Sequence, residues 1–277
     1  MKRPIVTLLT DFGTSDHYVA AMKGVILGIC PTADLVDITH DITPYAIAEG
    51  AYTLSQAWRC FPRGTIHLAV VDPGVGSKRR AILAEAEGHR FISPDNGLLS
   101  FVLRSASKAT VREISENRFF RKSVSRTFHG RDIFAPVSAH LASGIAPKRF
   151  GDVISDTQIG DFSEVIEGES GTWFASVLKV DRFGNVISNL ESGKFGRIAV
   201  DPFRLKIGRQ TVSSFRHTYS EALPTEIFAL FGSSGYIEVS LNQSDAASML
   251  GVQAGSPITV SIQGKHRTRT RGAAFKE

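Results

Sequence analysis

The sequence predicts an α/β protein: an N-terminal, mainly parallel sheet with helices on both faces, followed by a smaller C-terminal all-β, barrel-like domain. Three observations carry this. A continuous apolar and β-branched run at 5–9 and strand-like segments at 34–38 and 66–71 alternate with helix-spaced segments at 18–29 and 45–58, the pattern of a mainly parallel sheet covered on both faces. After about Gly168 the texture changes to short strands separated by Gly, Asn, Asp and Ser. The length of 277 residues accommodates two modest domains at roughly 150 residues each. They are expected over 1–160 and 171–277, with 154–171 as the linker.

The elements follow in order. The first apolar run ends in Thr10-Asp11-Phe12-Gly13, and the segment 18–29 keeps helical spacing up to Pro31. Residues 34–38 read as the second strand. Thr43-Pro44 reads as an N-cap with Pro at the first helical position of a helix over 45–58. Residues 66–71 form the third strand. Ligands in such sheets bind beyond the carboxyl ends of the strands, and Asp11 and Asp72 stand there. A helix-like apolar run covers 133–141. In the second domain, strands are expected at 172–180, 186–188, 205–207, 227–231, 236–241 and 258–262, with one helix at 245–250.

Hydrophobic residues make up 42% and charged residues 21% of the chain, which excludes a disordered or fibrous protein. No run approaches about 18 apolar residues, and Met1-Lys2-Arg3-Pro4 leads into a short strand rather than a signal peptide, so a cytoplasmic protein without a membrane partner is expected. Cys30 and Cys60 belong to no CxxC pair and read as buried packing residues. Of the formal charge of +5, most comes from Lys265, His266, Arg267, Arg269 and Arg271, read as a solvated terminus rather than a nucleic-acid-binding tail.

Several motifs carry chemistry, each with a plain structural alternative. Asp11 and Asp16 follow the first strand, where a carboxylate accepts hydrogen bonds from ribose hydroxyls or caps the next helix. Asp72-Pro73-Gly74-Val75-Gly76-Ser77-Lys78-Arg79-Arg80 matches neither GxGxxG nor a P-loop. It is a tight loop that begins with a carboxylate and delivers two arginines, or else a surface turn. His129, in Phe128-His129-Gly130-Arg131-Asp132, is a proton carrier or donor, or an ordinary loop residue. The eight His show no HExxH or comparable spacing, so no metal is expected, and no GxSxG elbow is present. Asp181-Arg182-Phe183-Gly184-Asn185 and Ser233-Ser234-Gly235-Tyr236, taken singly, read as hairpin turns.

Taken together, Thr10-Asp11-Phe12-Gly13, Val71-Asp72-Pro73-Gly74-Val75-Gly76, Arg79-Arg80-Ala81, Ser93-Pro94-Asp95-Asn96-Gly97, His129-Gly130-Arg131-Asp132, Asp181-Arg182-Phe183-Gly184-Asn185 and Ser233-Ser234-Gly235-Tyr236 resemble the S-adenosyl-L-methionine (SAM) hydroxide adenosyltransferase family, relatives of the fluorinating and chlorinating adenosyl-halide synthases. The resemblance implies hydrolysis of SAM to adenosine and L-methionine, with SAM as substrate and no cofactor. It also implies a homotrimer whose sites lie between the N-terminal domain of one subunit and the C-terminal domain of its neighbour.

By the same resemblance Asp72, Arg79 and His129 act on water, Asp11 holds the ribose hydroxyls, and Asp16, Asp181 and Asn185 contact adenosine or methionine. Ser233 and Ser234 orient methionine; Glu238 and Asn242 are further binding candidates. The resemblance also implies that the halide synthases carry an extra surface loop in the first domain, for which the short connection between Asn96 and Thr110 leaves no obvious room. The chemistry is consistent, because a sulfonium leaves as a neutral thioether and the site need only aim and activate a nucleophile. The alternatives are an adenosyl-halide synthase, a noncatalytic adenosine or SAM binder, and a nucleic-acid binder using the basic tail.

Overall fold

A computed structural model of the chain describes residues 3–169 and 171–263; the basic cluster from Lys265 to Arg271 lies outside them. The chain divides into two compact units, Met1–Ser163 and Glu164–Glu277.

The first unit contains strands β1 (Ile5–Thr10), β2 (Asp34–Thr39), β3 (Ile66–Val70), β4 (Ala81–Ala86), β5 (His89–Pro94), β6 (Ala109–Glu113) and β7 (Val153–Ile154), with helices α1 (Tyr18–Ile29), α2 (Ile47–Ala57), α3 (Ser100–Ser105) and α4 (Ala135–Ala142). They form one sheet in the order β2-β1-β3-β5-β4-β6-β7. The half containing the predicted strands is parallel. The other half is antiparallel, so the sheet as a whole is mixed. The change of direction comes from the β4–β5 hairpin. Its two turn residues, Glu87 and Gly88, have φ of 50° and 84°, the pair of positive values that suits a two-residue connection between twisted strands.

Alternation along β1 assigns the two faces. Val6 and Leu8 join the core with Met22 and Ile26 of α1 and Val137 and Leu141 of α4. On the other face α2 approaches closely at Gly50. A Cβ there would lie 2.9 Å from Leu98 and 3.0 Å from Val71, so only glycine lets the helix sit this low. The helix begins later than its sequence suggests. Tyr45 has φ of 69° and donates its backbone N–H to Asp11 Oδ2 at 2.9 Å, so Thr43-Pro44 does not cap the helix, which starts after Ala46. Cys30 is buried as expected, but Cys60 is exposed, since the short turn Trp58–Cys60 turns Trp58 inward instead.

The second unit holds β8 (Ile166–Glu167), β9 (Thr172–Val180), β10 (Val186–Glu191), β11 (Phe203–Ile207), β12 (Gln210–Val212), β13 (Ile227–Phe231), β14 (Tyr236–Leu241) and β15 (Pro257–Ile262), with short helices α5 (Ser192–Phe195) and α6 (Ala246–Leu250). The main path is an antiparallel sheet in the order β12-β11-β15-β9-β10-β14-β13. Its ends nearly close, because Ala229 of β13 donates to Ser214 O at 2.9 Å and accepts from Arg216 N at 3.0 Å just beyond β12. Inward residues such as Val177, Val186, Leu205, Ile237 and Val260 fill the interior. Asp245 caps α6 by accepting from Ser248 N at 2.8 Å.

Buried histidines link β1, β3 and β5. Thr7 Oγ1 lies 2.8 Å from His67 Nδ1, and His67 Nε2 lies 3.2 Å from His89 Nδ1. Burial, followed by the charge of His89, pushes His67 down to about 3 from its ordinary 6.5. Its neutral form is therefore the folded form, and the unfolded chain binds the extra proton. Stability from this site is full above pH 6.5 and is lost as pH falls toward 3. Replacing His67 with Gln is expected to remove up to about 1.4 kcal/mol per pH unit from the acid slope of unfolding free energy, measured by denaturant titration between pH 6.5 and 4.5. Identical slopes for both proteins would contradict this.

Candidate active site

The chain leaves β3 through Val71 into the loop that starts at Asp72. Asn96 holds that strand end, donating from Nδ2 to Val71 O at 2.9 Å. Two consecutive turns, Val75 N to Asp72 O at 3.2 Å and Ser77 N to Gly74 O at 3.1 Å, reverse the loop within a few residues. Gly76 has φ of 79°, and a Cβ on it would lie 2.3 Å from the carbonyl oxygen of Arg126. Glycine is required there twice over, by conformation and by contact.

The reversal brings Arg79 back onto Asp72. Its Nε donates to Asp72 Oδ1 at 2.9 Å and Oδ2 at 3.0 Å, and Nη2 donates to Oδ2 as well. The Arg79 and Asp72 side chains are only 9% and 5% exposed. Such a pair offsets its desolvation only through multiple hydrogen bonds. The Phe134 ring sits 5.0 Å from the guanidinium carbon. Arg80 is held separately, by Asp95 through Nε at 3.0 Å and Nη2 at 2.7 Å and by Asp156 through Nη1 at 2.8 Å.

His129 immediately precedes a π-helical turn, Gly130–Phe134, that leads into α4. Arg79 Nη2 lies 3.0 Å from His129 Nδ1. Because a guanidinium only donates, Nδ1 must accept. The neutral ring therefore carries its proton on Nε2, which has no protein partner among the described residues. Burial and then the charge of Arg79 push His129 below 6.5, against the opposing charges of Asp72 and Asp132.

Asp132, completely buried, anchors this turn. It accepts from Arg131 Nε at 2.7 Å and Nη2 at 3.0 Å, from Arg121 Nη1 at 3.3 Å and from Ser125 N at 2.8 Å. Burial alone would raise its carboxyl. The Arg131 and Ser125 hydrogen bonds and the two arginine charges outweigh that and hold it below 3.8.

Asp11 joins this group. Its carboxyl is raised by burial and by the charge of Asp72, and lowered by backbone hydrogen bonds, among them the Tyr45 N–H. The first unit thus gathers Asp72, Arg79, His129 and Asp11. Asp16 is not drawn in: it is exposed and makes no hydrogen bond or ion pair among the described residues.

In the second unit Asp181 Oδ1 accepts from Phe183 N at 2.8 Å and Asn185 N at 2.9 Å, and Asp181 Oδ2 accepts from Asn185 Nδ2 at 2.9 Å. Asp181, Asn185 and Asn242 line an open concavity together with Phe183 and Tyr219. Asn242 Nδ2 donates to Ala222 O at 2.8 Å. Glu238 is nearly buried and accepts from Tyr219 Oη at 2.9 Å. Its carboxyl is raised by burial and by the charge of Asp181, against the Tyr219 hydrogen bond. Burial, followed by the Glu238 carboxylate, raises the Tyr219 phenol too. Ser233 is exposed, while Ser234 Oγ is buried without a hydrogen-bond partner among the described residues.

Tyr219 and the anchoring role of Asp132 do not follow from the sequence alone. Tyr219 sits in an unpatterned loop with no signal, whereas Asp132 was visible as the last residue of the His129 motif.

Sequence models of the SAM hydroxide adenosyltransferase N-terminal and C-terminal domains match residues 6–151 and 175–259. This chain belongs to that family. Among the SAM hydroxide adenosyltransferase relatives, a Salinispora tropica protein named (R)-S-adenosyl-L-methionine hydrolase is 37% identical over 262 residues, 93% of this chain and 98% of the relative. A fluorinase of Actinoplanes is 31% identical over 184 residues, 58% of this chain and 62% of that protein. A crystal structure of an uncharacterized conserved protein from Thermotoga maritima has a TM-score of 0.84 at 35% identity, covering 92% of this chain and 99% of that one.

Among the described residues, no group of three or more His, Cys, Asp or Glu side chains could hold a metal ion, and no helix is long and apolar enough to cross a membrane.

The contact between Arg79 and His129 makes the protonation of His129 measurable. By NMR titration its ring is expected to titrate below 6.5 in the wild type. In Asp132→Asn it is expected to titrate lower still, because a nearby negative charge is removed. An upward shift in the variant would show that Asp132 does not act on His129 electrostatically.

Proposed function

We propose that this protein hydrolyses SAM to adenosine and L-methionine, with water or hydroxide attacking ribose C5′ in line with the departing sulfur. The observation that carries this reading is the hydrogen-bonded run from Asp72 through Arg79 to His129. Asp72 fixes the plane of the guanidinium and balances its charge. Arg79 in turn fixes the tautomer of His129, leaving N–H groups of a cation and a neutral imidazole as donors. Donors of this kind stabilise an oxygen with hydroxide character. The C–S bond breaks to a neutral thioether as the C5′–O bond forms, and the water's second proton leaves to solvent. His129 acts as a donor from Nε2 rather than as the base. SAM is the substrate in this reading; no metal or other cofactor takes part.

The test is incubation with each sulfonium epimer of SAM in ¹⁸O-labelled water, with and without chelator, chloride and fluoride, followed by mass analysis. Labelled adenosine and unlabelled methionine are expected in every condition. A 5′-halo-adenosine product, or activity that a chelator abolishes and a divalent ion restores, would replace this reading. Arg79→Ala and His129→Ala are expected to lower kcat by at least about 10²-fold with substrate affinity largely kept. Asp11→Ala should chiefly weaken affinity, since its carboxylate is assigned to the ribose hydroxyls. Unchanged kcat in His129→Ala would remove His129 from the chemistry.

The same reading includes action in the cytoplasm and, from the family resemblance, a homotrimer in which neighbouring subunits share each site. Asp16, Asp181, Asn185, Ser233, Ser234, Glu238 and Asn242 are then assigned to the adenosine and methionine portions of SAM. Light scattering is expected to give three times the 30.1 kDa chain mass, and a fully active monomer would contradict the assembly.

A further inference from the structure

On the first unit, a concavity of about 660 Å³ is lined by Arg121, Lys122, Ser123, Ser125, Arg131 and His140 among others. Its size is that of a small-molecule site, and none of its lining residues is acidic. Among the described residues, the one carboxylate in contact with its arginines is Asp132, completely buried and so unable to reach a ligand.

That carboxylate orients the arginines without neutralising the cluster. Asp132 receives Arg131 through Nε and Nη2 and Arg121 through Nη1. Arg131 is further held with its guanidinium carbon 4.9 Å from the Phe128 ring. Arg131 Nη1 and Arg121 Nε and Nη2 have no protein acceptor among the described residues, and the two side chains remain 30% and 45% exposed. Two guanidiniums and the Lys122 ammonium face one carboxylate, which leaves two positive charges, with the Ser123 hydroxyl as a further donor; Ser125 Oγ is engaged with Thr127, whose N–H it accepts at 3.2 Å. His140 is held below its ordinary value by burial and adds no charge at neutral pH.

We propose that this concavity binds the phosphate group of a small molecule. Oriented guanidiniums with spare N–H groups match the geometry of phosphate oxygens, and a phosphate dianion balances the two uncompensated charges. The inference is independent of the hydrolytic reading, since its readout is binding.

Inorganic phosphate and glycerol 3-phosphate, with glycerol as control, would be titrated into the full chain by calorimetry. Saturable binding of both anions and none of glycerol is expected. Similar affinities would identify free phosphate as a sufficient ligand; a monoester tighter by about tenfold or more would identify an esterified one. Lys122→Ala and Arg121→Ala should each weaken binding by about tenfold, the scale of one charge-assisted hydrogen bond. Circular dichroism and melting temperature serve as the folding check; Lys122, with no hydrogen bond or ion pair among the described residues, is the variant expected to leave the fold untouched. Absence of saturable binding up to about 10 mM, well into the range of weak affinity, would overturn the proposal. So would binding that persists unchanged in Lys122→Ala and Arg121→Ala.

Discussion

The buried pair of Asp72 and Arg79 is the constraint on which the rest of the first unit's site depends. Two charges removed from water are tolerated only with near-complete hydrogen bonding. The chain must therefore leave β3 with a carboxylate and return an arginine seven residues later in a fixed orientation. That return needs tight turns, and one of them needs glycine. Gly76 presses against the Arg126 carbonyl, which places the loop before His129 against the loop after Asp72. The loop is in turn tied at Ser125 to the buried Asp132 at the far end of the His129 turn.

The electrostatic consequence is a histidine with an assigned role. An arginine cannot accept a hydrogen bond, so its contact with Nδ1 decides the tautomer, and its charge opposes protonation of the ring. His129 is thus a neutral donor beside a cation, an arrangement suited to favouring an anionic oxygen over water. Asp132 moderates this, since its charge opposes that of Arg79 at the ring. The same carboxylate orients Arg121 and Arg131 at the basic concavity. One buried acid therefore connects the His129 turn with the proposed phosphate site.

The second unit handles buried charge differently. Glu238 is held in the nearly closed barrel beside the Tyr219 hydroxyl and within the field of Asp181, so its carboxyl is raised. Asp181 spends most of its hydrogen-bonding capacity on its own turn, capping Phe183 and Asn185. That rigid turn presents Asn185 and the largely exposed Phe183 at the concavity.

Much was legible in the sequence where a signal is local. The helix Tyr18–Ile29 and the strands Thr172–Val180, Ile227–Phe231 and Tyr236–Leu241 have the expected bounds, because periodicity and turn residues are properties of neighbours along the chain. The loops carrying Asp72, Arg79 and His129 were legible as unusual glycine-bearing segments, and their order as a family pattern. Hidden features depended on distant partners. The late start of α2 follows from Tyr45 donating to Asp11, and the mixed sheet from a hairpin whose Glu87-Gly88 turn is marked by a single glycine. Asp132 is also tied to Ser125 and Arg121, 7 and 11 residues away, and the Glu238–Tyr219 pair joins groups 19 residues apart. Residue types and spacing determined which groups this protein could use; which of them touch, which proton His129 carries and which charges go uncompensated were decided only when the chain folded, because hydrogen-bond direction and burial belong to three-dimensional neighbours.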